Sequence, residues 1–180
     1  MRLHLLRHLA PLVKPGICYG RTDLAVEARR LEHALPGLRA RLPAVILVIS
    51  SPLARCASLA VALDANARFD ARLAELDFGT WEMRSWDEIA RAEVDAWAAD
   101  VANYRPGGGQ SVMDMALKVD DFYASLLRQS LAEAVIVCHA GTMRLLAARQ
   151  AGLPPADMAR EAAQHPHAIR YGEIITLDCV

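Results

Sequence analysis

Apolar positions fall into short runs, and helical or loop-like segments separate the runs. Leu3, Leu5 and Leu6 predict a first strand that empties at Arg7-His8, and Pro11 beyond it cannot extend a sheet ladder. Residues 44–49, Ala-Val-Ile-Leu-Val-Ile, read as a strand buried on both faces. Residues 134–138, Ala-Val-Ile-Val-Cys, form a third such run that stops at His139, and a last strand is predicted over 173–177. Helical spacing runs from Val26 to Leu42, broken or kinked at Pro36-Gly37. A helix is predicted from a Ser51 N-cap, with Pro52 in its first position, to about Asn66. Others are predicted over Trp86–Val101, Ser111–Ser130 and Gly141–Gln150, with Ser111 as a cap and Asp114 near the positive helix end.

Glycine, proline and aspartate mark residues 12–24 as a loop, 104–110 as a glycine-rich loop, and 154–167 as loop-like with room for one short helical turn. Residues 70–82 are irregular. Strands alternating with helices predict an α/β fold: a three-layer α/β/α sandwich around a mainly parallel central sheet. The 180 residues fit one domain, with the region at about 70–110 lying over one edge as a lid.

Composition narrows the function classes. Apolar residues make up 54% and charged residues 23%, as in a globular chain. The net charge of −1 gives no basic field for nucleic acid or an anionic membrane, and no apolar run reaches membrane-spanning length. The basic residues are almost all Arg, the side chain that binds carboxylate or phosphate through a planar fork. Cys18, Cys56, Cys138 and Cys179 form no C-x-x-C pair, and the N-terminus is no signal peptide. A reducing cytoplasmic setting is expected, with Cys56 and Cys138 as small buried hydrophobes.

The chemistry gathers at the strand exits. Arg7 and His8 leave the first strand, Arg55 sits in the helix after the second, and His139 ends the third. Parallel strands would bring all four to one edge of the sheet, where ligands of open α/β sheets bind. A helix N-terminus there adds free N–H groups, so the set suits a dianion such as a phosphoryl group. An imidazole can also serve as a nucleophile.

Leu6-Arg7-His8, residues 50–56 (Ser-Ser-Pro-Leu-Ala-Arg-Cys), residues 73–82 (Leu-Ala-Glu-Leu-Asp-Phe-Gly-Thr-Trp-Glu) and residues 137–141 (Val-Cys-His-Ala-Gly) occur in this order. They resemble the successive motifs of the histidine phosphatase superfamily, the phosphoglycerate mutase-like proteins, and the loop 20–24 resembles that family too. The resemblance is strongest to its α-ribazole phosphatase and broad-specificity phosphatase branch. It implies a phosphomonoesterase acting on a small phosphorylated substrate. His8 would be the nucleophile, Arg7, Arg55 and His139 would hold the phosphoryl oxygens, and Glu75 would be the general acid and base. His139 would be most useful as a cation. Glu82 competes with Glu75 for the acid role. Tyr19 and Arg21 are further candidate substrate contacts, and no cofactor or metal is implied. Phosphoglycerate mutase chemistry and a non-catalytic phospho-ligand binder are the rival functions; oligomeric state is open, a dimer included.

Two positions depart from the family pattern. Leu9 stands where a Gly is usual, and would disturb the site if that position needs positive φ or close approach to phosphate. Residues 106–111 (Pro-Gly-Gly-Gly-Gln-Ser) have an extra Gly and a Gln for Glu, a change expected to alter lid shape or substrate choice. Among the remaining side chains, His4 reads as a strand residue, His33 as solvated, His165 and His167 as surface-loop residues, and Trp81, Trp86 and Trp97 as lid packing. Arg105 is an even choice between surface charge and a second anion contact. No H-E-x-x-H spacing points to zinc.

Overall fold

A computed structural model describes residues 1–44, 47–129, 131–164 and 168–179. One sheet contains β1 (Arg2–Arg7), β2 (Leu47–Ser50), β3 (Arg68–Phe69), β4 (Glu133–Cys138) and β5 (Ile174–Asp178), in the order β3-β2-β4-β1-β5. β1 and β2 both run parallel to β4, β3 runs parallel to β2, and β5 closes the edge antiparallel to β1. The helices are α1 (Ala28–Arg39), α2 (Ala54–Leu63), α3 (Arg91–Ala99), α4 (Val112–Leu127), α5 (Ala140–Gln150) and α6 (Pro155–Gln164).

Strand alternation sorts the side chains into two cores, as the period of two requires. Leu3, Leu5, Ile136 and Cys138 face α4, α5 and α6, packing with Phe122, Leu126, Leu145 and Met158. Leu6, Val48, Val135 and Val137 face α1 and α2, packing with Leu38, Cys56 and Leu59. The result is the expected three layers. Among the described residues no helix is long and apolar enough to cross a membrane.

Several predicted boundaries shift for identifiable reasons. α1 runs unbroken through Pro36, which lies in the last turn and so forfeits a single helical hydrogen bond. Residues 155–164 are a full helix, α6, not a loop. Pro155 takes the first position, where its missing N–H is no loss, and Met158 and Ala159 are fully buried. Trp86–Glu88 is a separate 3₁₀ turn, because Ile89 is extended and α3 begins only at Arg91. β3 has two exposed residues and so carries no apolar signal. The predicted strand over 44–49 includes Val45 and Ile46, and the loop expectation includes His165 and His167; these lie outside the described residues.

Candidate active site

The parallel register places the ends of β1, β2 and β4 side by side. The His8 N–H donates to the Cys138 carbonyl at 3.0 Å, and the Ser51 N–H donates to that of Val137 at 2.9 Å. His8, Ser51 and His139 therefore leave the sheet on the same edge. The His8 and His139 rings lie 5.1 Å apart, edge to face.

His8 is buried. Its Nδ1–H donates to the Leu9 carbonyl at 2.7 Å, which leaves Nε2 with its lone pair. Burial, with the positive charges of Arg55 and Arg7, depresses its pKa to about 3. The imidazole is neutral at physiological pH. Leu9 makes no demand for positive φ, since Met83 is the one non-glycine residue with φ above zero among the described residues. The Leu9 side chain instead packs into the α1–α2 core, and its carbonyl fixes the His8 tautomer.

His139 occupies the N-cap position of α5 and is fully buried, with Nε2 2.9 Å from Ser51 Oγ. Burial, then Arg55, His8 and Arg7, hold its pKa well below the ordinary value. With no oxyanion present His139 is neutral, first because it is buried and then because positive charge surrounds it. Ser51 is not the cap of α2, which begins at Ala54. Its hydroxyl is engaged by His139, and the Asp23 carboxylate takes over, accepting from the Ala54 N–H at 2.6 Å.

Arg55 is fully buried yet forms no ion pair with a carboxylate among the described residues. It donates to the carbonyls of Thr22, at 2.8 Å, and Gly20. Arg7 donates to the Ile169 carbonyl, and its guanidinium lies 4.1 Å from the Tyr171 ring centroid. Among the described residues, each arginine retains a buried Nε with no hydrogen-bond partner. Tyr19 and Tyr171 join through their hydroxyls at 2.7 Å, so aromatic faces back both guanidinium groups. Two cations held by neutral partners leave a net positive hollow beside a neutral imidazole.

Glu75 and Glu82 diverge in their surroundings. Glu75 lines the cavity and accepts the Leu76 and Gly141 N–H groups at 3.0 and 3.1 Å. Burial outweighs these bonds and raises its pKa. Gly141 makes the approach feasible, because a Cβ there would stand 2.4 Å from Glu75 Oε1. Glu82 instead accepts the N–H groups of Gly20, Arg21, Thr22 and Phe78, together with the Thr22 hydroxyl. Those bonds overcome burial and lower its pKa. Saturated with donors, Glu82 anchors the loop whose carbonyls hold Arg55.

The cavity has a volume of about 380 Å³ and is bordered at its polar end by Arg7, His8, Tyr19, Arg55, Glu75 and Gly141. His139 stands behind His8 and is not part of the wall. The Arg21 side chain is exposed, 3.9 Å from Asp77, and does not line this cavity. Arg105 pairs with Asp114 at 2.7 Å. A hollow of about 440 Å³ beside Arg39, Leu42 and Leu63 holds none of the chemistry-bearing side chains. The glycine-rich loop braces the Glu75 segment: Gln110 N–H donates to the Asp77 carbonyl at 2.8 Å, and a Cβ on Gly107, at φ +57°, would meet the Phe78 carbonyl at 2.4 Å. Sequence reasoning gave no role in the site to Ser51, read as a helix cap, to Tyr171, or to Gly141. Of these, Gly141 carried a readable signal, a glycine in the first turn of a helix beside a candidate histidine.

Comparison with known proteins finds relatives over most of the chain. The chain is 29% identical over 169 residues to the adenosylcobalamin/alpha-ribazole phosphatase of Escherichia coli (strain K12), covering 88% of this chain and 83% of that protein. It is 30% identical over 145 residues to the probable phosphoglycerate mutase GpmB of Salmonella choleraesuis, covering 75% and 67%. The crystal structure of the alpha-ribazole phosphatase from Shigella flexneri superimposes with a TM-score of 0.81 at 29% identity, over 99% of this chain and 90% of that one. The model of the histidine phosphatase superfamily (branch 1) matches residues 3–173, and the chain belongs to that superfamily.

Proposed function

We propose that the protein is a phosphomonoesterase that hydrolyses a small phosphate ester through a phosphohistidine on His8. The observation that carries the reading is the neutral His8 ring, its Nδ1 proton committed to Leu9, flanked by the cations Arg7 and Arg55. Nε2 attacks phosphorus as the P–O bond to the alcohol breaks, and the departing oxygen takes its proton from Glu75. The Leu9 carbonyl stabilises the positive charge that develops on the ring. The Glu75 carboxylate then removes a proton from water, whose oxygen attacks phosphorus; the N–P bond breaks and phosphate leaves. Arg7 and Arg55 hold the equatorial oxygens throughout. Burial is the main cause that keeps His139 neutral, and an incoming dianion offsets the smaller part that is due to Arg55 and Arg7. Residues 70–110 act as the lid of a single domain, and the four buried thiols suit a reducing cytoplasm.

The test is to follow phosphate release from p-nitrophenyl phosphate and the fate of 3-phosphoglycerate. The proposal expects release, an acid-labile phosphorylated protein after quenching, and loss of both in His8→Ala. Isomerisation of 3-phosphoglycerate without release would instead favour the mutase chemistry named in the Salmonella relative. Phosphate binding without turnover of any ester would identify a binder.

A further inference from the structure

The cavity changes character beyond Glu75. Its outer wall is built from Leu76, Phe78, Trp86, Trp97, Val112 and Met115. Trp86 and Trp97 lie in parallel planes, 10° apart with centroids at 5.9 Å, and Phe78 meets them edge-on at 6.1 and 6.0 Å. Such offset and edge contacts fix the rings as a rigid apolar surface. Three separate segments supply it: the stretch after Glu75, the turn and helix at 86–99, and the first turn of α4. It is continuous with the phosphoryl end, so it offers a surface to whatever is esterified to the phosphate.

The charges of the wall point the same way. Among the described residues, the cationic side chains of the cavity wall are Arg7, Arg55 and Arg144, and Glu75 is its one carboxyl group. Arg7 and Arg55 belong to the phosphoryl group; Arg144, on α5, has its pKa lowered first by burial, against the opposing influence of Glu161 and Glu75, and among the described residues the aromatic face itself carries no cation. A second anionic group on the substrate would meet aromatic carbon where it needs a cation, an expensive desolvation. From this wall we infer that the leaving alcohol is apolar, with a flat or ring-shaped body, and that Trp86, Trp97 and Phe78 select it over polyhydroxylated or carboxylated alcohols.

The inference rests on the phosphatase reading for its kinetics but not for its binding. Two alkyl esters of similar leaving-group chemistry, 2-phenylethyl phosphate and glycerol 3-phosphate, are compared by kcat/KM. Their non-hydrolysable phosphonates are compared by quenching of tryptophan fluorescence in the full chain. Both ratios are expected to favour the phenyl compound by about tenfold or more, which corresponds to about 1.4 kcal/mol. Trp86→Ala, at a half-exposed position, and the conservative Trp97→Phe should each reduce the kcat/KM ratio by about fivefold. Equal or reversed preference overturns the inference, as does a preference that neither substitution alters. If neither ester turns over while the phosphonates still discriminate, the apolar subsite stands and the phosphatase reading fails.

Discussion

The Leu9 carbonyl accepts the Nδ1 proton of the residue before it, His8, over 2.7 Å, so the backbone itself selects the tautomer of that ring. The neutral ring carries a stability consequence. Its pKa is about 3 in the fold against 6.5 for a free histidine, so between those values the unfolded chain binds more protons. Stability therefore falls as pH drops from about 6.5 toward 3. His8→Asn removes this contribution. Chemical denaturation at about pH 7 and about pH 4 should show the variant losing less stability than the wild type, by on the order of 3 kcal/mol. Identical losses would mean that His8 is not held neutral by burial.

Glu75 titrates in the opposite sense. Its raised pKa keeps the carboxyl protonated at higher pH than a surface glutamate, and donation to an alkoxide fails once it ionises. With an alkyl phosphate, kcat/KM should fall as pH rises through that pKa. Glu75→Gln should remove this limb and lower kcat by about 10²- to 10⁴-fold, with a smaller loss for p-nitrophenyl phosphate, whose leaving group needs no proton. Gly141→Ala should reproduce part of the defect while phosphate still binds, because the added methyl displaces the carboxylate. A pH profile unchanged in Glu75→Gln would remove Glu75 from the acid role.

Glu82 acts through Arg55. Its carboxylate gathers the N–H groups of Gly20, Arg21 and Thr22, and the carbonyls of Gly20 and Thr22 receive the Arg55 guanidinium. Glu82→Gln should destabilise the fold by about 1–3 kcal/mol and weaken phosphate binding, measured by calorimetry, while leaving the Glu75 limb in place. Because its pKa is lowered, the ionised form contributes stability above about 4.5, and that contribution is lost as pH falls through the folded value. Loss of the basic limb in Glu82→Gln would instead make Glu82 the acid.

The strand exits were legible because burial and chemistry coincide in the chain. Leu5-Leu6 and Val137-Cys138 are apolar enough to name their strands, and His8 and His139 follow directly. The partners that set the chemistry were not legible, because they come from distant segments. Tyr171 reaches Arg7 only when β5 returns antiparallel to β1, and a lone tyrosine before a glycine does not announce that. Ser51 has the sequence of a helix cap, and only the fold shows its hydroxyl committed to His139 across 88 residues. The α6 helix was hidden by Pro154-Pro155, where a helix start and a loop share the same residues.

Leu9 tests whether a departure from a family pattern weakens a site. Its side chain is 6% exposed and packs with Leu6, Val137 and Leu38 beneath the edge where His8 leaves the sheet, close against Gly172. The Gly172 N–H in turn donates to the carbonyls of Arg7 and His8, at 3.1 and 3.3 Å. Restoring glycine would empty that volume and loosen the backbone whose carbonyl holds His8. Leu9→Gly is therefore expected to cost about 3–5 kcal/mol, from the lost burial and cavity together with the added chain entropy. Thermal or urea denaturation measures the loss. Turnover of p-nitrophenyl phosphate at a temperature where both proteins are folded should fall or stay level. A Leu9→Gly protein that is as stable as the wild type and faster would show that Leu9 obstructs the phosphoryl site.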